Sequence, residues 1–237
     1  MSTCNNIHLR IGLASSLSNT RLNVSSLCTI KLTLIIHRDS GIALLRYLDR
    51  AIILDEDTYP PLAELLAYRP NRNINVLELG TGCGIVGIGL AQIMQGCRVL
   101  LTDLPEATEI CERNVKSATP ARFSSVRFQV LDWAGDLPEM VDQQAFHILL
   151  VCDCTYNTDS IPLLVNMLST LVKKSPNALV LVATKVRHSS ETMFFELMEK
   201  AQFGVCAKKT LPLPTEESFE DEQTDVYIFQ KEVSRDV

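Results

Sequence analysis

The chain has 237 residues, and its 28 acidic and 22 basic side chains give a formal net charge of −6. This length suits one α/β domain, and charges of mixed sign in an apolar sequence exclude general disorder. No apolar run approaches the ~20 residues that a membrane span needs, and an acidic balance argues against non-specific nucleic-acid binding. We therefore expect neither a membrane nor a nucleic acid as a partner.

Segments typical of helices and strands alternate from residue 41 onward. Short apolar runs that end in glycine or a polar residue indicate buried strands, and spacings of three and four indicate helices. The predicted helices are Gly41 to Ile53, a short one after Pro60, Ile85 to Met94, Pro105 to Val115, Asp159 to Lys174 and Ser189 to Ala201. The predicted strands are Ile74 to Leu79, Arg98 to Thr102, Val126 to Leu131, Ala145 to Cys152, Asn177 to Val186, Val205 to Leu211 and Asp225 to Gln230. Such alternation predicts a parallel sheet with helices on both faces, and the last two strands predict a hairpin at one edge.

The first 38 residues differ from the rest in charge. They contain four basic residues and no acidic one, so the remainder carries 18 basic and 28 acidic residues. We expect an atypical basic extension over residues 1–39 and one domain over residues 40–237. Mitochondrial targeting segments share this composition, but Met1 to Arg21 has no clear helical apolar face. A cytoplasmic location is the first expectation and a mitochondrial one the alternative.

Eight cysteines lie mostly within apolar stretches, and none forms a C-x-x-C pair. No secretory signal precedes them, so buried free thiols in a reducing compartment are expected rather than disulfides. The four histidines lack the spacing of metal ligands, and no metal site is predicted.

The glycine-rich segment after the first strand is the strongest local motif. Gly80, Gly82 and Gly84 let the backbone turn sharply and bring it close to a ligand. The segment also fits the G-x-G-x-x-G pattern of dinucleotide-binding proteins. Glu78, however, lies two residues before Gly80, where it would repel a pyrophosphate and attract a sulfonium with an ammonium tail. This carboxylate favours S-adenosylmethionine.

Acidic residues also follow the next three strands. Asp103 can accept hydrogen bonds from the two hydroxyls of a ribose. Asp132 can accept from an adenine amino group while Trp133 covers the ring, although the indole could instead pack under its own loop. Asp153 and Tyr156 follow the fourth strand, where an acceptor would meet the methyl group, although Asp153 could instead cap the next helix.

Taken together, these motifs resemble those of the seven-β-strand methyltransferases. The segments are Gly80-Thr81-Gly82-Cys83-Gly84, Asp103, Leu131-Asp132-Trp133 and Asp153-Cys154-Thr155-Tyr156. The acidic-x-x-aromatic motif after the fourth strand resembles that of the family-16 lysine methyltransferases. The similarity extends over about residues 40–232 and marks residues 40–237 as a methyltransferase domain.

The resemblance implies a fold, a function and a set of site residues. The fold would be a Rossmann-like sheet of order 3-2-1-4-5-7-6 with an antiparallel last strand and helices on both faces. The cofactor would be S-adenosylmethionine, and the acceptor a lysine exposed on a protein, with the enzyme a monomer. The cofactor residues would be Glu78, Gly80, Thr81, Gly82, Gly84, Asp103, Asp132, Trp133 and Cys152, and Asp153 and Tyr156 would orient the lysine.

One departure from the family pattern bears on the function. The segment before the first helix lacks the tryptophan that usually lines the cofactor pocket, because it reads Arg38-Asp39-Ser40-Gly41. Because this tryptophan is missing, one alternative is an inactive protein that binds the cofactor or acts as a scaffold. A small-molecule methyltransferase is the other alternative, and a nicotinamide oxidoreductase is the least favoured.

The acidic stretch from Thr215 to Asp225 has two interpretations. It is either a solvated loop between two strands or a surface that attracts a basic protein substrate.

Overall fold

A computed structural model describes residues 39–53, 58–185, 189–212 and 223–232. The basic segment of residues 1–38 and the acidic residues 215–222 lie outside these ranges. Within them, no helix combines the length and the apolar character that a bilayer crossing requires.

Seven helices and seven strands are named in chain order over the described ranges. The helices are α1 (Asp39–Ile52), α2 (Pro60–Leu66), α3 (Ile85–Ile93), α4 (Thr108–Ser117), α5 (Glu139–Asp142), α6 (Ile161–Lys174) and α7 (Ser189–Lys200). The strands are β1 (Ile74–Leu79), β2 (Cys97–Asp103), β3 (Ser125–Val130), β4 (Ile148–Cys152), β5 (Leu179–Thr184), β6 (Phe203–Pro212) and β7 (Gln223–Lys231).

All seven strands form one sheet of order β3-β2-β1-β4-β5-β7-β6, as predicted. Strands β1 to β5 are parallel, and β7 runs antiparallel to both of its neighbours, β5 and β6. The chain therefore moves outward from β1 to β3 and then restarts on the other side at β4. The switch point lies between β1 and β4, where open α/β sheets place their ligands at the carboxyl ends of the strands.

Successive side chains along each strand pack alternately into two hydrophobic layers, one on each face of the sheet. Val76, Val99 and Leu150 face the layer built with α1, α2 and α3, whereas Leu77 and Leu149 face the layer built with α6 and α7. The central strands are thus buried on both faces, which explains why they read as continuous apolar runs rather than alternating ones.

The predicted element boundaries differ from the structure in a few places. The helix predicted from Pro105 begins as a short 3-10 turn over Pro105–Ala107 and becomes α-helical at Thr108. Helix α5 was not predicted, because four residues are too few to show a periodic pattern. The helix predicted from Asp159 begins at Ile161, and Pro162 lies in its first turn as expected.

The structure decides between two predictions for Asp225, which is both the end of the acidic stretch and the first residue of a predicted strand. It is a buried residue of β7 rather than part of a solvated loop, and its Oδ2 lies 2.8 Å from Lys208 Nζ on β6. The hydroxyl of Thr210 donates to its Oδ1 at 2.6 Å. Burial alone would raise the pKa of the Asp225 carboxyl, but the hydrogen bonds from Lys208 and Thr210 outweigh it and hold the pKa below the usual range.

We expect Asp225 to make the hairpin sensitive to acid. Because its folded pKa is depressed, its contribution to stability is complete above about pH 4 and is lost as the pH falls through the folded pKa. Asp225→Asn should therefore lose less stability than the parent between pH 7 and pH 3 in urea unfolding. The exposed Asp136→Asn is the control, and an equal acid loss in Asp225→Asn and the parent would contradict the prediction.

Candidate methyltransferase active site

A cleft of about 1100 Å³ lies at the carboxyl ends of β1, β2, β4 and β5. Nine of the eleven site residues predicted from the sequence line it, and they come from four separate segments of the chain. These residues are Glu78, Gly80, Gly82, Asp103, Asp132, Trp133, Cys152, Asp153 and Tyr156. The structure therefore brings the predicted cofactor and acceptor residues to one place.

The glycine segment turns away from β1 through three left-handed residues. Gly80, Gly82 and Gly84 have φ of 62°, 57° and 82°, a region in which other residues are strained. A Cβ atom on Gly80 would lie 2.6 Å from the Cys154 Sγ and 3.2 Å from an indole carbon of Trp133. The open floor of the cleft therefore depends on glycine at this position.

Thr81 and Gly84, the two predicted residues outside the lining, support the segment from behind. The Thr81 N–H donates to the Thr102 carbonyl at 3.0 Å, which fastens the turn to the end of β2. Gly84 precedes the first residue of α3, and its carbonyl accepts from Ile88 N–H. Both are structural residues of the turn in this arrangement.

Glu78 is a buried carboxylate at the floor of the cleft. Only 2% of its surface is exposed, and its Oε2 accepts the Gly87 N–H of α3 at 2.9 Å. That N–H is one of the first-turn donors that a helix leaves without a partner, so the carboxylate also stabilises the helix start. Burial of an anion is costly, and a cationic ligand would offset that cost.

Asp103 fixes the opposite side of the glycine segment. Its Oδ2 accepts the Gly82 N–H at 2.6 Å and its Oδ1 accepts the Leu104 N–H at 2.8 Å. Each carboxylate oxygen has a second lone pair, so the side chain retains acceptor capacity for ligand hydroxyls. The sequence did not reveal that Asp103 also holds the turn in place.

Asp132 and Trp133 follow the strand β3 at the adjacent wall. Asp132 is exposed, and its Oδ1 accepts the Ala134 N–H at 2.9 Å in a tight turn. Trp133 packs partly against the apolar layer under α6 and partly lines the cleft. The two interpretations of Trp133 are therefore compatible, since one ring face can pack while another part meets a ligand.

Asp153 and Tyr156 follow β4 and also line the cleft. Asp153 has a left-handed backbone with φ of 52°, and its N–H donates to the Ala183 carbonyl of β5 at 3.0 Å. Asp153 does not occupy the capping position of α6, which belongs to Ser160. Tyr156 is 83% exposed, so its ring stands at the mouth of the cleft.

Two cysteines of this region differ in exposure. Cys152 is half-buried in the cleft wall, and Cys154 is buried behind Gly80. Burial, reinforced by the nearby Asp103 charge, raises the pKa of the Cys154 thiol to about 12. Cys154 is therefore a packing residue rather than a nucleophile. The six cysteines in the described ranges are free thiols, of which Cys206 alone is exposed.

Several cleft residues were not predicted from the sequence. They lie after β4, at the start of α6, at the end of β5 and on α7, and they include Thr155, Ser160, Leu163, Thr184, Lys185 and Glu191. Thr184 and Lys185 stand at the carboxyl end of a parallel strand, so the rule that found Asp103 and Asp153 would have found them too. Glu191 lies within a helix, and only the packing of α7 brings it to the cleft.

The charge of the cleft is strongly negative. Among the described residues that line it, six are acidic and Lys185 is the only basic one; the acids are Glu78, Asp103, Glu106, Asp132, Asp153 and Glu191. Walls of one sign concentrate ligands of the opposite sign. No group of three metal-binding side chains occurs within the described ranges.

Comparison with known sequences identifies the family. A family model described as lysine methyltransferase matches residues 33–201, well over half of the chain. This chain belongs to that lysine methyltransferase family. Its membership agrees with the resemblance that the motifs gave, and the match extends upstream of Ser40 into residues whose structure is not described.

Two of the following three curated relatives are named lysine methyltransferases. A UPF0665 family protein of Schizosaccharomyces pombe is 34% identical over 128 residues, which cover 54% of this chain and 38% of that protein. Protein N-lysine methyltransferase METTL21A of Xenopus tropicalis is 28% identical over 68% of this chain and 67% of its own length. EEF1A lysine methyltransferase 3 of Mus musculus is 36% identical over 54% and 53%. The matched part thus spans between 38% and 67% of these relatives.

Solved structures share the fold at low sequence identity. Magnesium protoporphyrin IX methyltransferase of Synechocystis, solved with bound S-adenosylmethionine, covers 81% of this chain and 81% of its own, with a TM-score of 0.53 and 14% identity. An S-adenosylmethionine-dependent methyltransferase of Methanosarcina mazei covers 74% and 98%, with a TM-score of 0.53 and 15% identity. These likenesses establish the methyltransferase fold.

Proposed function

We propose that this chain is an S-adenosylmethionine-dependent methyltransferase that N-methylates a lysine side chain of a protein. The observation that carries the proposal is an acidic cleft lined by the glycine segment and Glu78, which we assign as its cofactor end, and by Asp153 and Tyr156, which we assign as its acceptor end. The family of the chain supports lysine as the acceptor.

The residues at the first end fit the cofactor. The left-handed glycines leave space that a Cβ would fill, Asp103 retains acceptor capacity for a ribose, and Glu78 offers a buried negative charge to a sulfonium or ammonium group. Trp133 and Asp132 supply a ring face and an acceptor for adenine, and Cys152 lines the wall between the two ends. When bound, the cofactor supplies an electrophilic methyl group on sulfur.

The residues at the other end fit an amine that must attack in line. A free lysine has a pKa near ~10.4 and must release a proton before its lone pair can attack. With the cofactor bound, the neutral lysine nitrogen would bond to the methyl carbon as the carbon–sulfur bond breaks and its electron pair stays on sulfur. The proton released to water before the attack is the only one that the transfer requires. Asp153 and Tyr156 orient the nitrogen, and we expect this positioning to supply most of the acceleration.

A protein fits the mouth of the cleft better than a small enclosed substrate. Three exposed apolar side chains stand around it, which we call the rim: Leu104 at 46% exposure, Tyr156 at 83% and Leu163 at 40%. Apolar side chains at the edge of an acidic opening favour a partner surface that combines a lysine with apolar neighbours.

The test is transfer of a labelled methyl group into a cell lysate, followed by mapping of the modified site. We expect label on a protein lysine with the parent and far less label with Asp153→Asn. Label confined to the small-molecule fraction would establish the alternative function. Calorimetric titration with S-adenosylmethionine, S-adenosylhomocysteine and NAD should show binding of the first two alone, and binding of NAD would contradict the assignment.

Glu78 provides a direct test of the cofactor assignment. Glu78→Gln retains the oxygen that accepts from Gly87 but removes the negative charge, so we expect affinity for the cationic S-adenosylmethionine to fall about tenfold or more. Calorimetry measures this, with the exposed Glu112→Gln of α4 as the matched control. Unchanged affinity in Glu78→Gln would show that this charge does not recognise the cofactor.

We propose a cytoplasmic monomer, with mitochondrial import as the alternative, and a catalytic domain over residues 40–237 preceded by a basic extension. Free thiols in the described ranges support a reducing compartment. Light scattering and imaging of a tagged full chain test these points.

A further inference from the structure

A buried chain of hydrogen bonds joins α7 to the loop after β4. The Thr155 and Thr184 hydroxyl oxygens lie 3.1 Å apart, and the Thr184 hydroxyl lies 3.2 Å from Glu191 Oε1. Each of the three residues is less than 9% exposed. Thr155 lies between Asp153 and Tyr156 in the sequence, so this series of hydrogen bonds ends inside the segment that we assign to the acceptor.

The chemistry of the three side chains determines which one donates in each hydrogen bond. A hydroxyl has a single proton to donate, and an ionised carboxylate can only accept. Because Thr184 donates to Glu191, Thr155 must donate to Thr184. The Glu191 carboxylate therefore fixes both hydroxyl rotors and, through them, the side chain of Thr155.

The backbone of the same loop is held from the same strand. The Asp153 N–H donates to the carbonyl of Ala183, the residue next to Thr184. Asp153 itself has φ of 52°, a strained value that persists only where the surrounding structure supports it. Strand β5 thus holds the loop at two points, through the Ala183 carbonyl and the Thr184 hydroxyl. A buried carboxylate is expensive to retain unless its interactions matter to the protein.

We propose that Glu191 is a positioning residue that acts through Thr184 and Thr155 to hold Asp153 and Tyr156 at the acceptor end of the cleft. The inference rests on the proposed function, since it assigns these two residues to the acceptor. Glu191 also lines the cleft and adds to its negative wall, but its proposed effect runs through the hydroxyl chain.

Four variants test the proposal. Glu191→Ala removes the acceptor, and Thr184→Val removes the hydroxyl at constant shape. Glu191→Gln keeps an acceptor oxygen and should restore most of the activity. Glu199→Ala, on an exposed position of the same helix, is the matched control.

We expect Glu191→Ala and Thr184→Val to lower kcat about tenfold or more, as misplacement of reacting groups does. Their affinity for S-adenosylhomocysteine should stay within about twofold of the parent, because the series of hydrogen bonds leads only to the residues assigned to the acceptor. Hydrogen exchange over residues 153–157 should quicken in both variants and stay unchanged in Glu199→Ala.

Unchanged exchange over residues 153–157 in Glu191→Ala and Thr184→Val would overturn the inference. Equal loss of activity in Glu191→Gln and Glu191→Ala would also overturn it, since the charge rather than the hydrogen-bond chain would then act. If the parent transfers no methyl group to lysine while the exchange still responds, the proposed function fails and the structural link survives.

Discussion

Replacement of Asp153 by asparagine is expected to lower kcat for lysine methylation about 100-fold, because loss of the carboxylate leaves the attacking nitrogen without its orienting charge. Asparagine is the right substitution, since it tolerates the left-handed backbone that Asp153 adopts with φ of 52°. The N–H bond to Ala183 is also retained. Steady-state kinetics with the mapped protein substrate measures the effect.

Two controls separate chemistry from folding in this experiment. Affinity for S-adenosylhomocysteine should remain close to that of the parent in Asp153→Asn, because Asp153 lies at the acceptor end. Asp159→Asn, six residues later and exposed, should leave kcat unchanged. A parent-like rate in Asp153→Asn would remove Asp153 from the proposed mechanism.

Gly80→Ala is expected to abolish cofactor binding and to destabilise the fold. The left-handed backbone at φ 62° costs alanine about 1–2 kcal/mol. The new Cβ would also lie 2.6 Å from Cys154 Sγ, and such overpacking adds about 1–3 kcal/mol. Urea unfolding without ligand measures the stability, and calorimetry measures the loss of binding.

A double-mutant cycle separates the two causes. Adding Cys154→Ala removes the sulfur that the new Cβ would meet, so Gly80→Ala should cost less in that background by the overlap energy alone. The backbone strain should persist in both backgrounds. Gly135→Ala is the control, since its Cβ would come no closer than 3.5 Å to any neighbour. A cost at Gly80 as small as at Gly135 would contradict the prediction.

Local patterns sufficed for the strands and for most of the cleft. β1 was predicted with its observed boundaries because an apolar run ending in glycine has few other interpretations. Glu78, Asp103 and Asp153 were found because carboxyl ends of parallel strands converge on one edge. The order of β7 and β6 came from the resemblance, since a hairpin at an edge can join the sheet through either strand.

Features that depend on tertiary packing could not be predicted from the sequence. Glu191 has no motif around it, and it joins the cleft only because α7 packs beside α6. Asp225 was predicted as the first residue of a strand, but the contacts of its carboxylate with Lys208 and Thr210 were not predicted. Its neighbours in sequence gave no sign of either contact, because Lys208 and Thr210 are 17 and 15 residues away.

The insertion of β7 between β5 and β6 has a consequence for biosynthesis. β7 is synthesised after β6, yet it supplies the inner neighbour of β6 and packs against α1, where the Thr224 hydroxyl meets Ser40 at 3.3 Å. Until residue 231 has emerged, one edge of β5 and the whole of β6 lack their ladder partner. A nascent chain therefore carries open strand edges until β7 has been synthesised, which is when chaperones would be most needed.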